Sequence, residues 1–220
     1  MMMNFKSIVA AMAMCACALP AGAATLASYS SVNGDSLVPT LAANVSGGTI
    51  TRGAGAAPNV GGTFNSQDWT IGGDAAIARA AGDFVGTETD NFSFLGPVSL
   101  SALELAYDRS PTGPQSIAID LFVDGITIEN FFVDDAVAVN SSSTALVDLT
   151  RFDNVSAFGF RIVGYNATGT LGTGTFDFEN RLDDDLAIVL TGDFIAAVPL
   201  PAGGTLLLGG LGLLALRRRA

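Results

Sequence analysis

The sequence predicts an all-β body, an antiparallel two-sheet sandwich of jelly-roll type, set between two terminal segments of different character. Three observations predict it. Between residues 24 and 197 no helical repeat is sustained; short runs of alternating apolar residues are instead separated by Gly, Asn, Asp, Ser and Pro. One pair of runs closes on a two-residue Asp-Gly turn. About ten strands of ordinary length exceed what one open sheet holds without curling, so two packed sheets are the economical arrangement.

The first segment, residues 1–23, has the three-part form of a secretory signal peptide. Residues 1–6 are weakly basic, residues 7–19 are apolar, and Ala21-Gly22-Ala23 offers small residues to a signal peptidase. Cleavage is expected at Ala23, with the mature chain starting at Ala24. The apolar run falls short of the roughly 20 residues a membrane helix needs. A lipoprotein reading of Cys15 or Cys17 is the rival; neither has Leu at the third position before it.

Losing that segment removes both cysteines and Lys6, the only lysine, from a chain that has no histidine. The mature body therefore cannot form a disulfide, although an exported location permits one. All 21 acidic residues lie in the body beside six arginines, which gives it a net charge of −15 against −11 for the whole chain. So negative a surface repels phosphate backbones and argues against a nucleic-acid partner.

The body's elements follow in order. Early strands are expected at 25–32, 49–52, 64–71 and 91–95. Residues 53–62, GAGAAPNVGG, read as a loop. Residues 74–81, DAAIARAA, suit either two helical turns behind an Asp cap or an edge segment. Leu103, Leu105 and Tyr107 alternate with Ala102, Glu104 and Ala106. In SIAIDLFVDGITIENFFV, residues Ile117, Ile119, Leu121 and Val123 share a face, Asp124-Gly125 turns, and 126–133 returns as the second arm of a hairpin. Residues 140–143, NSSS, read as a polar turn. Phe158, Phe160 and Ile162 mark another strand, Phe176 and Phe178 a short one, and Leu186, Ile188 and Leu190 the last.

The absent residue types exclude much chemistry. A Ser-His-Asp triad, a Cys-His pair, a Schiff-base lysine, a P-loop lysine and a His or Cys zinc site all need side chains the mature chain lacks. Carboxylates remain. Glu104, Asp120, Glu129 and Glu179 are the candidates for a glycosidase-type pair, and the alternating pattern reads each of them as a solvent-facing strand residue. Asp134-Asp135 and Asp183-Asp184-Asp185 raise structural calcium, but without a D-x-D-x-D-G loop they read as solvated turn acids. No cofactor is expected. Trp69, Tyr107 and Tyr165 are the aromatics that could stack on sugar rings, with the core as the alternative for Trp69. Asn44, Asn91, Asn140, Asn154 and Asn166 each begin an Asn-x-Ser/Thr triplet of the kind that arises by chance in such a composition.

The last segment, residues 198–220, is Val198-Pro199-Leu200-Pro201-Ala202, an apolar run over 202–216, and Arg217, Arg218 and Arg219. Fifteen residues make a helix of roughly 22 Å, against a hydrocarbon core of about 30 Å. The arginines would hold the end in the cytoplasm and leave the body outside. No glycine pair has the G-x-x-x-G spacing of a pairing helix. A simple type I anchor is one reading.

This order of proline motif, short apolar span and arginine stop resembles the PEP-CTERM sorting signals of Gram-negative bacteria, and Val198 to Ala202 matches the VPLPA subclass residue for residue. The resemblance implies recognition by an exosortase, transient membrane insertion, cleavage near the prolines and transfer to the cell surface or exopolysaccharide matrix. The body is similar to a passenger domain that accompanies such tails, through TITRGAG at 49–55, RSPTGP at 109–114 and GYNATGTLGTGTF at 164–176. That likeness implies no activity. The expectation is an exported, non-enzymatic structural or adhesive matrix protein, with a carbohydrate-binding module as the alternative.

Overall fold

The computed structural model describes residues 23–30, 36–58, 64–67, 69, 71–87, 91–169 and 174–195. Ala21, the motif from Val198 to Ala202, the apolar run expected as a helix and the arginines 217–219 lie outside these residues. Among the described residues, no helix is long and apolar enough to cross a membrane.

The described residues form 14 strands and one α-helix. In chain order they are β1 (Ala24–Tyr29), β2 (Thr40–Leu41), β3 (Val45–Ser46), β4 (Thr51–Arg52), β5 (Ala57–Pro58), β6 (Asn65–Gln67), α1 (Ala75–Ala81) and β7 (Phe84–Gly86). Then come β8 (Phe92–Arg109), β9 (Pro114–Val123), β10 (Ile126–Asp134), β11 (Ser143–Asp148), β12 (Val155–Ala167), β13 (Phe176–Phe178) and β14 (Ile188–Phe194). The pairs between strands are antiparallel and link all 14 into one hydrogen-bonded sheet. The all-β, antiparallel expectation holds.

β8 organises the sheet. Its first part pairs with β3 and β12, and its later part with β11 on one side and β14, then β13, on the other. Residues 91–95 and 102–107, expected as separate strands, are thus two stretches of one. Between them the ladder breaks: residues 94–97 of β8 stand opposite the single Ser156 of β12. Gly96-Pro97 makes this corner, where a proline that cannot donate to a ladder is tolerated.

The expected hairpin is β9 and β10. Asp124 and Gly125 have φ of 49° and 82°, the left-handed pair that a tight hairpin turn demands. The Asp124 carboxylate accepts from the Ser156 and Ala157 amides and ties the turn to β12. Ile117, Ile119 and Leu121 face the main core with Phe158, Phe160 and Ile162 of β12, Leu103, Leu105 and Tyr107 of β8, and Ile188 and Leu190 of β14. Phe176 lies between Tyr107, on which it stacks, and Trp69, which it meets edge to face.

The opposite face of β9 is buried as well, because α1 lies across it. Ala75 and Ala78 pack on Ala118 and Val163, small side chains that let the helix sit close to the sheet. The helix alternative for 74–81 is the one the chain adopts. Asp74 caps it, its carboxylate accepting from the Ala76 and Ile77 amides at 3.0 Å each. Gly82, at φ 84°, closes it with its own amide on the Ala78 and Arg79 carbonyls. The loop expected over 53–62 is anchored to this end through Gly55 N–H on the Gly82 carbonyl, and its residues Ala57–Pro58 pair with β6.

Candidate functional site

The densest polar arrangement among the described residues is centred on Asp120, in the middle of β9. Its side chain is on the face covered by α1 and is 0% exposed. Arg79 of α1 clasps it in two-pronged fashion, Nε to Oδ2 and Nη2 to Oδ1, both at 2.7 Å. Arg161, directly across the ladder on β12, donates its Nε to Oδ2 at 2.7 Å. The Asn130 amide supplies a fourth hydrogen bond, to Oδ1 at 2.8 Å.

That last bond depends on an irregularity in β10. Ile128 pairs with Leu121 and Phe132 with Ile119, so Glu129, Asn130 and Phe131 stand opposite Asp120 alone. The bulge puts Asn130 at φ 52° and aims its amide at the carboxylate. Its side-chain Oδ1 accepts from Arg79 Nη2 at 2.6 Å, and Glu129 lies 3.4 Å from Arg79 Nη1. Arg161 is held between the Phe84 and Phe122 rings, at 5.4 and 5.3 Å from their centroids.

The electrostatics follow from this geometry. Burial alone pushes the Asp120 carboxyl up, but hydrogen bonds from Arg79, the Asn130 amide and Arg161 outweigh it and hold the group below the usual carboxylate range. The Arg79 guanidinium is raised by its hydrogen bond to Asp120, against an opposing effect of burial. A carboxylate held this way has no proton to donate and no open approach for a substrate. Its work is to fasten α1 to β9, β10 and β12.

Asp120 therefore corrects the solvent-facing expectation: alternation assumed a wet outer face, and α1 covers it. Of the four candidate carboxylates, the fold brings Asp120 and Glu129 together around Arg79. Glu104 sits on β8 between β11 and β14, and Glu179 pairs with Arg181 at 3.7 Å.

Beside Arg79 an open cleft of about 400 Å³ is lined by Asp74, Arg79, Glu129, Asn130, Val133 and Tyr165. Tyr165 donates to Asp135 at 3.1 Å, and burial followed by that bond raises its hydroxyl. Of the three aromatics considered for sugar stacking, Tyr165 alone reaches a cleft. Trp69 is 3% exposed and donates its indole N–H to the Ser66 carbonyl, and Tyr107 is buried with its hydroxyl on Asp134.

Asp183–Asp185 form a single exposed 3₁₀ turn with Asp184 and Asp185 at positive φ. Asp134 caps the Ala136 amide as well as receiving Tyr107. Among the described residues no three acidic side chains converge as a metal site. Ala23 is exposed just ahead of β1, and Ala24 opens that strand opposite Gly192.

Arg79, Arg161 and Asn130 were not candidates on sequence grounds. A signal existed: Asp120 shares its face of β9 with Ala118 and Phe122, an apolar company that implies a covering element and a paired charge. No protein-family model matches the chain, and no curated protein matches it.

Proposed function

We propose that the chain is an exported surface or extracellular-matrix protein of a Gram-negative bacterium, cut by signal peptidase at its start and by an exosortase near its end. Its β body would then serve a structural or adhesive role in an exopolysaccharide matrix, without catalysis. The observation that carries this reading is the tail from Val198 to Arg219, with its VPLPA motif, short apolar run and arginine stop. The strand limits are consistent with it: β1 begins at Ala24 and β14 ends at Phe194, so the proposed cuts at Ala23 and near Pro201 precede the first strand and follow the last one in the sequence. The mass of the mature surface protein tests it. Residues beyond about Pro201 are expected to be missing, whereas an intact C-terminus in the membrane would leave a simple type I anchor.

We read the sheet as folded on itself into two layers of jelly-roll type. In support, β8 runs through both halves with its corner at Gly96-Pro97, and the inward residues of β9 and β12 share one apolar cluster with those of β8 and β14.

A second reading, a carbohydrate-binding module, is favoured by the cleft in which Tyr165, Asn130 and Glu129 supply a phenol, a side-chain amide and a carboxylate to the lining. A glycan array run with and without chelator tests it. Saturable binding that Tyr165→Ala abolishes would favour the module, with calcium involved if chelator also removes it. No binding to any glycan would set the module aside.

A further inference from the structure

At the corner of β8 the four-against-one mismatch with β12 pushes Leu95 outward until it is 79% exposed. Pro97 is exposed beside it, and its carbonyl accepts from the Ile195 amide at 2.9 Å. Ile195 is itself 38% exposed and stands immediately after the last strand. On the other side of Leu95 an open, mainly apolar groove of about 350 Å³ runs along Val45 and Phe94. β1 starts here too, since Ala24 is paired with Gly192, two residues before Phe194. Of residues 24–25, 43–46, 94–98 and 192–195, only Asp193 is charged, in a body of net charge −15.

The chain leaves this pole towards its apolar tail. Seven peptide steps separate Ile195 from Ala202, a reach of at most about 25 Å. If the tail enters a bilayer at Ala202, the corner is tethered within that distance of the lipid surface. We propose that the apolar corner formed by Leu95, Pro97 and Ile195 rests on that surface, so that the body is held pole-first against the membrane until it is cut free. The contact is apolar and lacks Lys and Arg, so it suits a zwitterionic lipid surface rather than an anionic one, which the body's charge repels. This inference rests on the proposed membrane hold by the tail.

The mature chain lacks cysteine, which allows single-site labelling. The chain from Ala24 to Ala220, as signal peptidase would leave it, is reconstituted in phosphatidylcholine vesicles carrying brominated acyl chains, with one fluorophore at Leu95→Cys, Val139→Cys or Gly210→Cys. Val139 bridges to Arg109 at the other end of β8, about 40 Å along the strand from Pro97. Quenching at position 95 is expected to exceed that at 139 at least threefold, with position 210 quenched most. If 210 is quenched while 95 matches 139, the corner proposal falls and the tail reading stands. A blue-shifted but unquenched label at 95 also overturns it, because the tail or a second copy would then cover the corner. Absence of quenching at 210 overturns both.

Discussion

Asp120 shows how much one side chain can organise. It takes hydrogen bonds from α1, β10 and β12 while standing on β9, and removing its charge would leave two guanidiniums facing an uncharged amide. Asp120→Asn is expected to lower stability by about 3–5 kcal/mol, the usual cost of breaking a buried ion pair from one side, as measured by urea unfolding. The pH dependence has a definite sign. The folded-state pKa is depressed, so the carboxylate's contribution is complete above the ordinary value near 3.9 and is lost as pH falls through the folded value. The gap between the parent and Asp120→Asn should be flat at neutral pH and narrow only below about pH 4. The asparagines carry a second lesson at this scale. Asn44, Asn140, Asn154 and Asn166 all have φ between 46° and 68°, so four of the five triplet asparagines occupy left-handed backbone positions that asparagine tolerates, Asn166 within β12 and the others outside the strands. Backbone geometry accounts for them.

The elements differ in how plainly their residues announced them. The hairpin of β9 and β10 was legible because a long alternating run meets an Asp-Gly turn, and the core residues of β8, β12 and β14 follow their own alternation. Strands of two residues such as β2, β3, β4 and β5 cannot show a period, and their pairing is decided by tertiary neighbours. The bulge in β10 was half legible: Glu129-Asn130 puts two polar residues in succession and breaks the alternation set by Ile126 and Ile128, but the residues alone do not say that three of them stand opposite Asp120. The helix was half legible, since its cap and alanines fit but seven residues carry little periodicity. Its closure offers a test. A Cβ at Gly82 would stand 2.9 Å from the Gly55 nitrogen in a left-handed backbone, so Gly82→Ala should cost more than about 1 kcal/mol in thermal or urea unfolding. It should also loosen Arg79, visible as faster amide exchange in α1.

For the whole molecule, the feature that matters most is that β1 and β14 lie side by side with Ala24 opposite Gly192. The two ends of the body therefore emerge together. A circular permutant of residues 24–195, with a linker of about six residues joining Ile195 to Ala24 and new ends between Ser141 and Ser142, should unfold cooperatively. Its stability should lie within about 2 kcal/mol of the parent by urea denaturation, since closing so short a gap adds little entropy cost. Non-cooperative unfolding would contradict the adjacency. None of this long-range pairing was visible in the residues, because strands with the same alternation can pair in many orders.

The position of β14 also bears on mechanical load. Its residues Ile188 to Phe194 are paired with β8 on one side, and most of them with β1 on the other. A pull applied at Ile195 against a grip at the Arg109 end of β8 runs along the strands. It sets both ladders in shear, so their hydrogen bonds must fail together. The same pull against a grip beside Ala24 would peel β14 away one pair at a time. If the body is tethered through its C-terminal end, it should resist force best when its load-bearing contacts lie at the far pole, near Arg109 and Val139.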